Sequence, residues 1–261
     1  MSIPKIIHYC WFGGNELPES AKMCIESWKK YCPDYEIIEW NETNCDLDCC
    51  AYVREAYHAK KWAFITDVIR LHVLVEYGGI YMDTDVEVLK SLDNILPYEA
   101  VSGFETQKQI PTALMACEKR HPFFVELLHN YDNLHFIQPD GSYDMTTNVK
   151  RITDVCLKYG LQLNNQFQTV NGFTFFPKEY FCPKDYDRET YMITQNTYTI
   201  HHFNGSWLPD EDRLALEIKR KYTRFMPYKI ASLLARFQAV NQYRGLVAAT
   251  KEIGIRIFKC W

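Results

Sequence analysis

The stretch YGGIYMDTDVEVL, Tyr77 to Leu89, restricts this chain more than any other. Before it, Trp62 to Tyr77 is apolar at helical spacing, interrupted by Asp67, Arg70, His72 and Glu76, and Gly78-Gly79 supplies the stop. Ile80, Tyr81 and Met82 then form an apolar strand that runs into Asp83-Thr84-Asp85, with Glu87 one step further. Residues two apart on a strand point to the same side, so a strand continuing through this stretch aims both aspartates at one spot. Carboxylates are costly to bury without a positive partner. That partner is a metal ion, a reacting phosphate group or solvent, and the two aspartates alone do not choose among them.

The flanking pattern gives the fold class. PKIIHYCWF (Pro4 to Phe12) reads as a strand stopped by Gly13-Gly14. PESAKMCIESWKKYC (18–32) has acids first and lysines last, which predicts a helix, and YEIIEW (35–40) predicts a second strand. Strand, helix and strand within forty residues open a βαβ unit, so the chain is expected to be α/β with parallel pairing. Further strands are expected at 100–105, 112–117, 173–177 and 197–203, and helices at 122–132 and 146–160. After Pro209 the chain reads as helical to its end, broken at Pro227 and Gly245. The expected organisation is one domain over 1–210 and a helical tail over 211–261. At 261 residues, 47% of them hydrophobic, the chain is long and apolar enough for a sizeable core.

In an open α/β sheet ligands bind at the carboxyl ends of strands, where Asp83 and Asp85 are expected. A hard divalent ion such as Mg2+ or Mn2+ would relieve their mutual repulsion and keep phosphate oxygens among its ligands. Asp67 and Arg70, three apart, share one face of the preceding helix, and the apolar residues around them leave little room for a solvated pair. Trp11, at the end of the first strand beside two glycines, can stack on a base or fill the core. HHFNGSW (His201 to Trp207) adds two histidines, a serine and a tryptophan after a strand. Strand parity allows at most one of His201 and His202 to face the same site.

IPKIIHYCWFGG, AFITDVIRLHVLVEYGGIYMDTDVEVLKSL and IHHFNGSW together resemble the DxD-motif sugar-binding-region glycosyltransferases, family 32. The order Asp-x-x-Arg then Tyr-x-Asp-x-Asp also resembles the glucosylating domains of large clostridial toxins. The resemblance implies a GT-A-type, Rossmann-like nucleotide-sugar-binding domain with a mixed sheet. It implies a retaining transferase that moves a hexose from a nucleotide sugar, UDP-hexose first and GDP-mannose second. The implied acceptor is a glycan or a lipid-linked oligosaccharide in surface polysaccharide synthesis. Asp85 and Asp83 would ligate Mn2+ or Mg2+ with His201 or His202, and Asp67 and Arg70 would hold the sugar and its phosphate. Trp11 would stack on the base, Tyr81 would pack near the nucleotide, and Ser206 and Trp207 would close over the leaving group.

Two other readings use the same residues. In a haloacid-dehalogenase-like phosphatase Asp83 would be the nucleophile and Asp85 the acid/base. A non-catalytic nucleotide-sugar-binding protein would keep the site without the reaction. The ten cysteines contain no CxxC pair, and Cys45, Cys49 and Cys50 lack the four spaced ligands of a closed zinc site, so reduced thiols are expected. The net charge of −4 divides into −11 over the first 210 residues and +7 over the tail. A basic tail carrying Leu, Ile, Phe and Tyr at helical spacing fits an anionic membrane surface, and no nucleic-acid partner is expected. With no signal-like N-terminus and no run of roughly 18 apolar residues, the expected location is the cytoplasm, peripheral to the inner face of the plasma membrane.

Overall fold

The computed structural model describes residues 2–106, 109–110, 113–188, 190–205 and 208–259. Two compact units emerge: one runs to Pro183 and includes Ile193–His202, the other combines Lys184–Met192 with the chain from Phe203 onward.

The first unit opens with β1 (Ile6–Cys10), α1 (Glu19–Tyr31) and β2 (Glu36–Trp40), the βαβ order expected, with β1 and β2 paired in parallel. Then come α2 (Ala51–His58), α3 (Trp62–Tyr77), β3 (Gly79–Met82), β4 (Val86–Val88), β5 (Ala100–Gly103) and β6 (Leu114–Cys117). After α4 (Pro122–His129) and α5 (Asn148–Lys158) the unit closes with β7 (Gln168–Val170), β8 (Phe173–Phe176), α6 (Lys178–Phe181) and β9 (Thr199–His201). Seven strands form a mixed sheet in the order β2-β1-β3-β6-β5-β8-β7. β3 pairs in parallel with β1, β6 runs against both β3 and β5, and β5 runs parallel to β8. The carboxyl ends of β1, β3, β5 and β8 therefore share one edge. The α/β class, the mixed sheet and the helical C-terminal segment agree with the sequence reading.

Strand parity sorts side chains to two core layers. Tyr81, Met115 and Cys117 join one layer with Tyr52, Ile65, Leu71, Phe124 and Ile152 from the helices. Ile80, Met82, Leu114 and Ala116 join the other with Ile25 and Trp28 of α1. Gly78 and Gly79 link α3 to β3 with φ of +69° and +98°, where a side chain is strained. Each is also crowded: a Cβ would lie 2.6 Å from the Lys119 nitrogen at Gly78 and 2.7 Å from the Ile6 oxygen at Gly79.

The uninterrupted strand through Tyr81–Val88 is corrected. Asp83 leaves β3, the Val86 N–H donates to the Asp83 carbonyl at 3.0 Å, and β4 pairs with β9 in a separate two-stranded sheet. The Trp28 indole N–H donates to the Val86 carbonyl at 2.6 Å, tying the restarted strand to α1. The two aspartates thus sit in a turn rather than on one pleated face.

The second unit holds α7 (Asp210–Tyr222), α8 (Tyr228–Arg244) and α9 (Leu246–Lys259), with breaks at Pro227 and Gly245 as the sequence predicts. Ala231, Ala235, Ala239 and Val240 are the buried stripe of α8. Arg236 joins the three helices, bonding Asp212 and Glu211 of α7 and Glu252 of α9. Arg220 is buried, donating to the Tyr186 and Phe203 carbonyls at 3.0 Å each. No described helix is long and apolar enough to cross a membrane.

Candidate active site

The carboxyl edge of the first unit's sheet gathers the charged residues singled out above. Arg70 is buried on α3, and its Nη2 lies 3.3 Å from Asp67 Oδ1 and 3.4 Å from Asp83 Oδ1. Its Nε donates to the Thr66 carbonyl at 3.2 Å, and its guanidinium lies 4.7 Å from the centre of the Tyr81 ring. The Tyr81 hydroxyl donates to Asp83 Oδ1 at 2.9 Å. The surface ion pair considered for Asp67 and Arg70 is therefore absent. Their side chains are only 13% and 6% exposed, and one guanidinium nitrogen is shared by two carboxylates. Burial pushes the Asp67 carboxyl up to about 6, against the pull of Arg70. Burial opposes the charge on Arg70, but Asp83 and Asp67 override it and hold its pKa above the ordinary arginine value.

Asp85 meets a different partner, with Oδ1 3.4 Å from His201 Nε2. One ligand atom from each of Asp83, Asp85 and His201 lies within 4.8 Å of the other two. Burial opposes protonation of His201, yet the Asp85 carboxylate raises its pKa well above the usual histidine value. A divalent cation seated among the three would reverse that preference and take neutral imidazole. Two carboxylate oxygens and an imidazole nitrogen fit a hard divalent ion, with coordination positions left for water or phosphate. His202 is placed elsewhere: its Nε2 lies 2.9 Å from Glu87 Oε2 and its backbone N–H donates to the Asp85 carbonyl. The structure thus brings Asp67, Arg70, Tyr81, Asp83, Asp85 and His201 together and leaves His202 paired with Glu87.

Trp11 directly follows β1 and is half-buried, and its indole N–H donates to the Asn15 carbonyl at 2.6 Å. Trp11 packs against the layer of Ile80 and Met82, whereas the preceding Cys10 lies in the opposite layer with Tyr81. Ser206 and Trp207 lie outside the described residues. Cys45, Cys49 and Cys50 form no metal-capable group among the described residues, and the nine described cysteines are free.

Three participants escaped the sequence reading. Glu105 follows β5 on the same edge, its carboxyl raised by burial and its Oε1 3.8 Å from His201 Nδ1. The signal for it was a carboxylate just past a strand, the same signal that Asp83 gives. Cys182, after α6, is buried within reach of Glu105 and His201 and carries no local signal. Asn148, at the start of α5, donates to the Asp67 carbonyl at 3.2 Å.

A buried arginine between two carboxylates thus lies beside Asp83, Asp85 and His201 at the carboxyl edge of a mixed α/β sheet, the edge where open α/β sheets bind ligands. Residues 18–102 match the family described as glycosyltransferase sugar-binding region containing the DXD motif. That match takes in Asp67, Arg70, Asp83 and Asp85 and leaves the rest of the chain outside it. It is similar to inositol phosphoceramide mannosyltransferase 3 of Schizosaccharomyces pombe, 32% identical over 147 residues, covering 52% of this chain and 39% of that one. It is also similar to lactosylceramide 4-alpha-galactosyltransferase of Mus musculus, 27% identical over 176 residues, 61% of this chain and 46% of that one. The chain thus spans less than half the length of both relatives. Among solved structures it is similar to the PaToxG glycosyltransferase, with TM-score 0.47 and 20% identity over 60% of this chain and 69% of that one.

Proposed function

We propose that the protein is a retaining, divalent-metal-dependent glycosyltransferase that moves a hexose from a nucleoside-diphosphate sugar to a glycan borne on a lipid. The convergence of Asp83, Asp85 and His201 beside the buried Arg70 carries this reading. When bound there, a divalent ion, Mn2+ or Mg2+, would offset the charge of the donor diphosphate. Arg70, fixed by Asp67, Asp83 and Thr66, adds a preorganised cation where the leaving phosphate gains charge. In this reading Asp67, only 13% exposed, would accept a hydrogen bond from the sugar, and Trp11 would stack on the base. Same-face attack by the acceptor, with the departing phosphate taking its proton, needs no protein nucleophile. Asp83 is poorly suited to be one: its Oδ1 already accepts from Tyr81 and faces Arg70, which disfavours the phosphatase reading.

Two relatives whose printed names contain ceramide favour a lipid-borne acceptor over a free polysaccharide. An open cleft of about 660 Å3, lined by Gln138, Tyr143, Met145 and Lys150 among others, adjoins α5, whose Asn148 bonds Asp67. It is a suitable entrance for that acceptor. The second unit exposes Phe225, Tyr228, Ile230 and Leu234 beside Lys229, which suits docking to the cytoplasmic face of an anionic bilayer. The direct test incubates the full chain with Mn2+ and, separately, UDP-glucose, UDP-galactose and GDP-mannose, and measures nucleotide release. Release from one donor that disappears in Asp85→Ala supports the transferase. Phosphate release from simple phosphomonoesters with none from any nucleotide sugar would replace it with the phosphatase.

A further inference from the structure

His201 faces two donor sets. Its Nε2 lies 3.4 Å from Asp85, and its Nδ1 lies 3.8 Å from Glu105 on the opposite side of the ring. A carboxylate oxygen of Glu105, the Cys182 sulfur and a ring nitrogen of His201 lie within 4.8 Å of one another, separately from the Asp83–Asp85–His201 group. The chemistry of the two sets differs. Two carboxylates and an imidazole suit hard ions, whereas thiolate, imidazole and one carboxylate suit Zn2+ or Cd2+. We propose that Glu105, Cys182 and His201 form a second cation site, selective for thiophilic divalent ions, whose occupation draws His201 away from Asp83 and Asp85.

The local structure supports such a site. Cys182 is buried where α6 ends, and Glu105 and His201 are only 15% and 14% exposed, so an ion would be largely removed from water. Metal bonds of about 2.0–2.3 Å in a tetrahedral site place donors roughly 3.3–3.8 Å apart, so the three atoms need to close by about 1 Å, a side-chain adjustment. The Lys178 ammonium lies 3.9 Å from the Cys182 sulfur and donates to the Glu105 carbonyl at 2.6 Å, which ties α6 to the loop after β5. Binding releases the thiol proton to solvent, and a water completes the fourth position. The proposal concerns binding and stands whether or not the chain transfers sugar.

The test uses the full chain and two probes: Cd2+, followed by its ultraviolet thiolate charge-transfer band, and Mn2+, followed by electron paramagnetic resonance. Cys182→Ser is expected to lose one equivalent of thiolate-bound Cd2+, the remaining cysteines contributing equally to both proteins. In the wild type, one Cd2+ per chain is expected to weaken Mn2+ binding by more than about tenfold, and in Cys182→Ser to leave it unchanged. Unchanged Cd2+ stoichiometry in Cys182→Ser overturns the site. Cd2+ bound at Cys182 with undisturbed Mn2+ binding overturns the sharing of His201. Glu105→Gln, expected to weaken the same Cd2+ equivalent, serves as a second variant should the serine protein not fold. The Cd2+ arm decides the site even if Mn2+ proves not to bind.

Discussion

Arg70 pairs with Asp83 and Asp85 with His201, so their substitutions break different contacts of the site. Arg70 is the cation that Asp67 and Asp83 share, so Arg70→Ala leaves two largely buried carboxylates without it. The expected loss in urea unfolding is roughly 3–5 kcal/mol, as for other broken buried pairs. Asp85 faces His201, and Asp85→Asn keeps its shape. In that variant Mn2+-dependent donor hydrolysis is expected to fall at least about 100-fold. Asp67, Arg70, Asp83 and Asp85 were legible in the sequence because they fall within one helix–turn–strand segment, where spacing translates directly into geometry. Glu105 and Cys182 were not, since they lie at the ends of β5 and α6, and only the pairing of β9 with β4 carries His201 to them.

The joint between α3 and β3 depends on backbone that only glycine adopts easily. Gly78→Ala and Gly79→Ala each combine positive φ with a contact under 3 Å, so each is expected to cost about 1–3 kcal/mol or more in chemical unfolding. β1 carries a buried histidine beside this joint: His8 Nε2 lies 2.8 Å from the Gly78 carbonyl, and its Nδ1 accepts from Trp40 at 3.1 Å. Burial pushes its pKa down to about 4, while in the unfolded chain it titrates near 6.5. Between those values the unfolded chain binds the extra proton, so stability is present above pH 6.5 and is lost as pH falls toward 4. The expected contribution is on the order of 3 kcal/mol, and His8→Gln should flatten that part of a stability–pH curve. Most strands and helices were readable from period and punctuation. α2 was not, because it spans only eight residues behind a cysteine cluster and lacks a side-chain cap. The break between β3 and β4 was hidden because Val86 and Val88 continue the apolar alternation, and no glycine or proline marks the turn. Pairing with β9 and the bond from Trp28 impose it from a distance.

The helical tail read from the sequence does not stand alone, because Lys184–Met192 belongs to the same compact unit. Lys219 bonds Asp187 at 2.5 Å, and Arg220 and Thr223 donate to the Tyr186 and Asp187 carbonyls. A chain ending at residue 210 is therefore expected to lose hydrogen-exchange protection across 184–192, while the β-sheet of the first unit keeps its own. The full chain is expected to sediment with vesicles of anionic lipid at low salt, and Phe225→Ser with Ile230→Ser to reduce the bound fraction several-fold. Binding to neutral and anionic vesicles alike, or to neither, would remove the membrane reading and leave the site untouched. The site itself is most directly tested by Mn2+ titration, followed by electron paramagnetic resonance in the presence of UDP and then GDP. Mn2+ binding is predicted in the wild type and in His202→Gln, with loss in Asp85→Asn and His201→Ala. Equal binding by all four proteins, or loss in His202→Gln with retention in His201→Ala, would contradict the assignment of Asp83, Asp85 and His201 as the cation site.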